Sequence, residues 1–128
     1  MVLDTSALSA VVFREPDHER VVDAMAGAPA LSIGAPTLVE TGIVLSARLG
    51  ADARGLLSRL LMEAGIEVVA FTEAHFGAAV GAWRRFGRGR HEASLNFGDC
   101  MSYATARLAE RPLLCVGEDF AKTDIELA

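Results

Sequence analysis

Four short apolar segments, each separated from the next by helix-forming sequence, limit this 128-residue chain to few architectures. Met1 to Leu3, Leu31 to Ile33, Ile66 to Phe71 and Pro112 to Val116 read as strands. Between the first two, Ser6 is placed to cap a helix to about Phe13, and Pro16-Asp17 starts another to about Ala26, stopped by Gly27 and Pro29. Pro36 suits the first turn of a helix running to Leu49 and ended by Gly50, and Asp52 opens a further helix that stops at Gly65. Thr72 caps a helix to about Gly87, and Asn96 or Phe97 opens one to about Ala109. The tail from Gly117 is turn-rich, with an edge strand expected around Ile125. Strands alternating with helices at this spacing predict an α/β fold: a mainly parallel sheet of four to five strands covered by helices on both faces. In such sheets ligands gather at the carboxyl ends of the strands. Asp4 directly follows the first strand, and Asp119 lies just beyond the last.

The length suits one domain, residues 1–128. At 52% hydrophobic and 23% charged residues the chain has ample apolar surface to fold. It contains no bilayer-spanning run, and Asp4 interrupts the first apolar stretch with no basic region before it. Cys100 and Cys115 form no CxxC pair and read as small buried hydrophobes. The expectation is a soluble, cytoplasmic protein of a reducing compartment. A formal charge of −5 argues at first against nucleic acid as a partner. The charge is polarised, however. Arg84-Arg85-Phe86-Gly87-Arg88-Gly89-Arg90 carries +4, so the remainder carries −9.

The isolated charges are more informative. With 23% charged residues, 13 residues hold about three charges on average and 24 hold about five. Yet residues 1–13 contain only Asp4, residues 24–47 only Glu40, and residues 93–106 only Asp99. Each has an ordinary role available: Asp4 ends a strand, Asp99 sits in a first helical turn, and Asp119 falls in a turn. Glu40 is the hardest to explain that way. Its helix, Thr37 to Leu45, is apolar on every side, which predicts a buried helix, and Arg48 lies two turns away. A carboxylate in such surroundings is paired, protonated or metal-bound.

Four carboxylates without partner bases suit Mg²⁺ or Mn²⁺, hard cations that prefer oxygen ligands. His18, His75 and His91 lack zinc-ligand spacing. Carboxylate-held cations of this kind serve phosphoryl chemistry, where they activate water and offset charge on a phosphodiester. Thr5 and Ser6, beside Asp4, carry hydroxyls suited to orienting a water or phosphate, and Ser6 equally to capping.

These residues resemble the PIN-domain family, and specifically VapC-type toxins of toxin–antitoxin pairs. Val2-Leu3-Asp4-Thr5-Ser6-Ala7-Leu8 and Leu38-Val39-Glu40 are similar to its first two acidic motifs. Leu95-Asn96-Phe97-Gly98-Asp99-Cys100 resembles the third. Leu113-Leu114-Cys115-Val116-Gly117-Glu118-Asp119-Phe120, with Thr123-Asp124-Ile125, resembles the last. Each motif alone is weak, but the ordered set spans residue 2 to about 125. The resemblance implies a three-layer PIN-like fold and a Mg²⁺- or Mn²⁺-dependent endoribonuclease. It implies an acidic pocket of Asp4, Glu40, Asp99 and Asp119, with Asp4 and Asp99 the direct metal ligands. It further implies a homodimer and a VapB-type antitoxin whose tail blocks the pocket. Asp119 or Asp124, or both, fill the fourth acidic position, with Glu118 nearby; Asp119 follows the strand most directly.

Arg84, Arg85, Arg88 and Arg90 then become candidate RNA contacts, against the alternatives of a solvated loop or a docking surface for an acidic partner. Trp83 and Phe86 read as core or dimer-interface residues. Two other function classes fit less well. An aspartyl phosphatase usually has a second carboxylate two residues after the first, where this chain has Ser6. A receiver-like module needs paired acids at the first strand, which are missing. A PIN-like domain without catalysis, serving only as an interaction module, is the remaining alternative.

Overall fold

A computed structural model describes residues 1–128. The chain runs β1 (Val2–Leu3), α1 (Thr5–Phe13), α2 (His18–Gly27), β2 (Leu31–Gly34), α3 (Ala35–Leu49), α4 (Arg54–Ala64), β3 (Ile66–Val69), α5 (Glu73–Phe86), α6 (Phe97–Ala109) and β4 (Leu113–Leu114). The strands form one sheet in the order β3-β2-β1-β4, every pairing parallel. β1 is thus internal, and the backbone N–H of Asp4 donates to the Leu114 carbonyl at 3.0 Å. That bond fixes Asp4 at the carboxyl edge of the sheet.

Strand alternation divides the core in two. Val2 and Leu113 face one cluster, with Ala79, Phe86, Leu95 and Tyr103 of the α5–α6 side. Leu3 and Leu114 face the other, with Leu8, Val21, Leu45 and Leu57 of the α1–α4 side. All four strand residues are fully buried. Both faces are covered, as the near-continuous apolar strands require. The result is the expected three-layer α/β sandwich. Cys100 and Cys115 are buried free thiols within it.

Three local expectations are corrected. Asp4, not Ser6, is the N-cap of α1, its side chain accepting from the Ser6 backbone N–H. Extended backbone at Asp4 puts the carboxylate one turn ahead of the orphan amides. The edge strand expected around Ile125 is absent. A 3₁₀ turn, Phe120–Lys122, precedes it, and only a single bridge joins Leu113 to Leu127. The third correction is α3. Its buried positions are Thr37, Thr41 and Leu45, whereas Val39 and Ile43 are 63% and 64% exposed. An apolar helix is therefore half solvated, because hydroxyls occupy its inner stripe.

Candidate active site

Four segments bring carboxylates to one cavity of about 340 Å³: Asp4 at the end of β1, Glu40 on α3, Asp99 in the first turn of α6, and Asp119 beyond β4. Thr5, Ser6, Ser9 and Glu15 also line it, and no basic side chain does. Glu15 is engaged by Arg48 at 2.7 Å. Arg48 is thereby taken from Glu40, which has no cationic partner.

Asp4 is held by three donors. The Ser6 backbone N–H (3.0 Å) and hydroxyl (2.6 Å) donate to Oδ2, and the Ser102 hydroxyl donates to Oδ1 at 2.6 Å. Ser6 Oγ accepts in turn from the Val116 N–H at 3.0 Å, which ties the β4 exit to β1. Since Ser102 spends its proton on Asp4, Thr37 Oγ1 is the donor across the 3.2 Å contact between those hydroxyls. Thr41 donates to the Thr37 carbonyl at 2.8 Å, and the Thr5 and Thr41 hydroxyls are in contact at 3.1 Å. A buried chain of hydroxyls thus links α1, α3 and α6 beneath the pocket, and short charge-assisted bonds end it at Asp4.

Asp99 forms a reciprocal cap with Asn96. Asn96 N–H donates to Asp99 Oδ2 at 2.9 Å, and Asp99 N–H donates to Asn96 Oδ1 at 2.8 Å. Burial, together with the nearby charges of Asp4, Asp119 and Glu40, pushes the Asp99 carboxyl up to about 6, against the Asn96 N–H. Burial and the Asp4 charge also raise Glu40, while the Thr5 hydroxyl opposes them. Glu40 lies directly over Gly98, whose missing side chain leaves room for its carboxylate.

The donor set fits a hard divalent cation. It consists of oxygens alone, burial and neighbouring carboxylates raise Asp99 and Glu40, and Ser9 Oγ in the same wall is buried without a hydrogen-bond partner. No three acidic, His or Cys side chains stand at ligating separation from a common point. A cation bound there would complete its shell with water, as Mg²⁺ typically does when it takes only one or two protein carboxylates.

Asp124, the alternative fourth acid, is not part of this cavity. It accepts from the Tyr103 hydroxyl at 2.6 Å and pairs with Arg85 at 3.0 Å, which together with Arg107 holds its carboxyl below the usual range despite burial. The arginine segment also divides. Arg85 is committed to Asp124, and Arg90 stacks over Trp83 at 4.7 Å while its Nε donates to the Arg84 carbonyl at 3.2 Å. Arg84 and Arg88 are exposed and make no ion pair. Phe86 is core, whereas Trp83 is nearly half exposed. Sequence reasoning missed Ser102, Thr37, Ser9 and Gly98. Ser102 lies one turn after Asp99 and Thr37 one turn before Glu40, so helical spacing from each lone acid is the signal that finds them.

The chain belongs to the PIN-domain family: that domain matches residues 1–126. Within the family, its similarity is to VapC ribonucleases. It is 50% identical over 127 residues to Ribonuclease VapC36 of Mycobacterium tuberculosis, covering 98% of this chain and 91% of that one. It is 42% identical over 125 residues to Ribonuclease VapC of Mycolicibacterium smegmatis, covering 98% and 97%. The fold also matches the crystal structure of Mycobacterium tuberculosis VapC20, described as a Sarcin-Ricin loop cleaving toxin. That match has a TM-score of 0.80 at 20% identity and covers 99% and 97% of the two chains. A toxin–antitoxin complex from Klebsiella pneumoniae matches with a TM-score of 0.72 at 17% identity, covering 99% and 95%.

Proposed function

We propose that the protein is the toxin of a VapBC-type pair, a Mg²⁺- or Mn²⁺-dependent endoribonuclease restrained by its cognate antitoxin. The observation that carries this reading is the convergence of Asp4, Glu40, Asp99 and Asp119, from four separate segments, on one cavity without a cationic side chain. A structural role would satisfy such acids with bases; a catalytic cation site leaves them for the ion.

On this reading Asp4 and Asp99 would hold the cation directly, with Glu40 and Asp119 completing the acidic wall of the cavity. When bound, Mg²⁺ or Mn²⁺ supplies an activated water and neutralises charge developing on the phosphodiester. The chain's own part is positioning. Ser6 and Ser102 set the rotation of the Asp4 carboxylate, Asn96 sets that of Asp99, and Gly98 admits Glu40.

The antitoxin's tail covers the acidic cavity, and two copies of the chain form the working unit in the cytoplasm. Exposed Val39 and Ile43 supply apolar surface for such protein contacts. No helix is long and apolar enough to cross a membrane. A circular RNA, which has no ends, tests the endonuclease reading. Linearisation in Mg²⁺ is expected; digestion of linear RNA alone contradicts it.

A further inference from the structure

A second cavity, of about 700 Å³, adjoins the start of α6 and is lined by Phe76, Trp83, Arg88, Asn96, Phe97 and Met101 among others. Phe97, the first residue of α6, is 80% exposed, and Phe76 and Trp83 are exposed beside it. Three aromatic side chains left in solvent at one cavity mark an interaction surface. Its rim is cationic. Arg88 forms part of the wall, and Arg90 lies over the Trp83 ring at 4.7 Å.

The first turn of α6 separates this cavity from the acidic pocket. Asn96 lines the aromatic cavity and Asp99 the acidic one, and the two residues are joined by their reciprocal cap. A helix with its side chains is about 10–12 Å across, so a strand crossing the first turn of α6 reaches both cavities. The cap uses Asn96 Oδ1 and leaves the side-chain NH₂ free to donate.

We propose that this cavity takes an unpaired base of the RNA strand, next to the phosphodiester at the acidic pocket, with the base stacked on Phe97. The proposal rests on the ribonuclease reading and adds where the strand is gripped. An aromatic surface with a cationic rim matches the π-face and flanking phosphates of a single-stranded nucleotide. The free Asn96 NH₂ favours a base presenting an acceptor. Phe97 acts in binding and cut-site choice, not in the chemical step.

The test is the kinetics of Phe97→Ala and Phe97→Tyr on a single-stranded RNA that the wild type cuts, and on the same RNA with abasic residues flanking the cut site. Because Phe97 is 80% exposed, its loss leaves the fold intact. Phe97→Ala is expected to raise KM about tenfold with kcat nearly unchanged, and Phe97→Tyr to behave as wild type. Abasic substitution is expected to impose the same KM penalty on the wild type and none further on Phe97→Ala. Trp83, the single Trp, is expected to change its emission when RNA is added. An unchanged KM in Phe97→Ala, or equal kinetics on intact and abasic RNA, overturns the proposal while the ribonuclease reading stands. A KM loss that coincides with dimer-to-monomer conversion by light scattering also overturns it, and gives the surface to a second copy of the chain. A wild type that cuts no RNA overturns both readings.

Discussion

Gly98 and Glu40 are in direct contact: a Cβ at position 98 would overlap the Glu40 carboxylate. The glycine lies in the first turn of α6 and has no need of positive φ, so its value is space. Gly98→Ala favours the helix by roughly 0.5–1 kcal/mol but displaces the acid. Cleavage is expected to fall about tenfold or more in Gly98→Ala, with little change in Tm. Glu40→Gln should also impair cleavage, and adding Gly98→Ala to it should cost little more, because both changes act on one contact. Additive losses in that double-mutant cycle would show that Gly98 acts elsewhere.

Ser102 donates to Asp4 at 2.6 Å from a fully buried site. Ser102→Ala leaves an acceptor of Asp4 unmet, at a cost of about 1–3 kcal/mol that thermal melting will read. Loosening a metal-ligating carboxylate typically lowers metal affinity about 10- to 100-fold, measurable by Mn²⁺ titration. A variant with lower Tm but wild-type Mn²⁺ affinity would confine Ser102 to a packing role.

Asp99 gives a pH signature. Its carboxyl is raised in the folded chain to about 6 from an ordinary 3.8, so the folded form binds the extra proton between those values. This group therefore costs metal-free stability increasingly as pH rises from about 4 to 6, with the full penalty present above 6. A divalent cation removes the penalty where Asp99 is ionised. Mg²⁺ should raise Tm more at pH 7.5 than at pH 5, and Mn²⁺ affinity should weaken below about pH 6. A larger Mg²⁺ effect at pH 5 would contradict the assignment.

Asp119 and Asp124, five residues apart, should separate cleanly. Asp119→Asn is expected to reduce cleavage about 10- to 100-fold, because it lines the acidic cavity. Asp124→Ala should leave cleavage within about twofold while lowering Tm, since it removes the Tyr103 and Arg85 contacts. Reversed effects in a cleavage assay would move the fourth acid to Asp124.

Asp4, Glu40 and Asp99 are legible in the sequence because each is the sole charge in a long uncharged stretch, where an ordinary partner has nowhere to come from. The parallel sheet is legible because Leu31 to Ile33 and Ile66 to Val69 are short apolar runs set between helical segments, although the exposure of Glu67 and Val68 on β3, at the sheet edge, is not. Ser102 and Thr37 are not. A helical hydroxyl is satisfied as readily by a carbonyl one turn back as by a distant carboxylate, and only the packing of α3 against α6 chooses. Gly98 is silent for a related reason, since the space it leaves belongs to another helix. The misreading of α3 followed from taking apolar composition as burial. Val39 and Ile43 face solvent, and apolar composition alone does not separate an exposed apolar face from a core.

The central claim is that the acidic cavity is a metal-dependent ribonuclease centre, and RNA cleavage by the purified wild type, Asp4→Asn and Asp99→Asn measures it directly. Cleavage is expected with Mg²⁺ or Mn²⁺, is expected to vanish in EDTA, and should fall about a hundredfold or more in either variant. Metal-independent cleavage, or full activity in Asp99→Asn, would contradict the account.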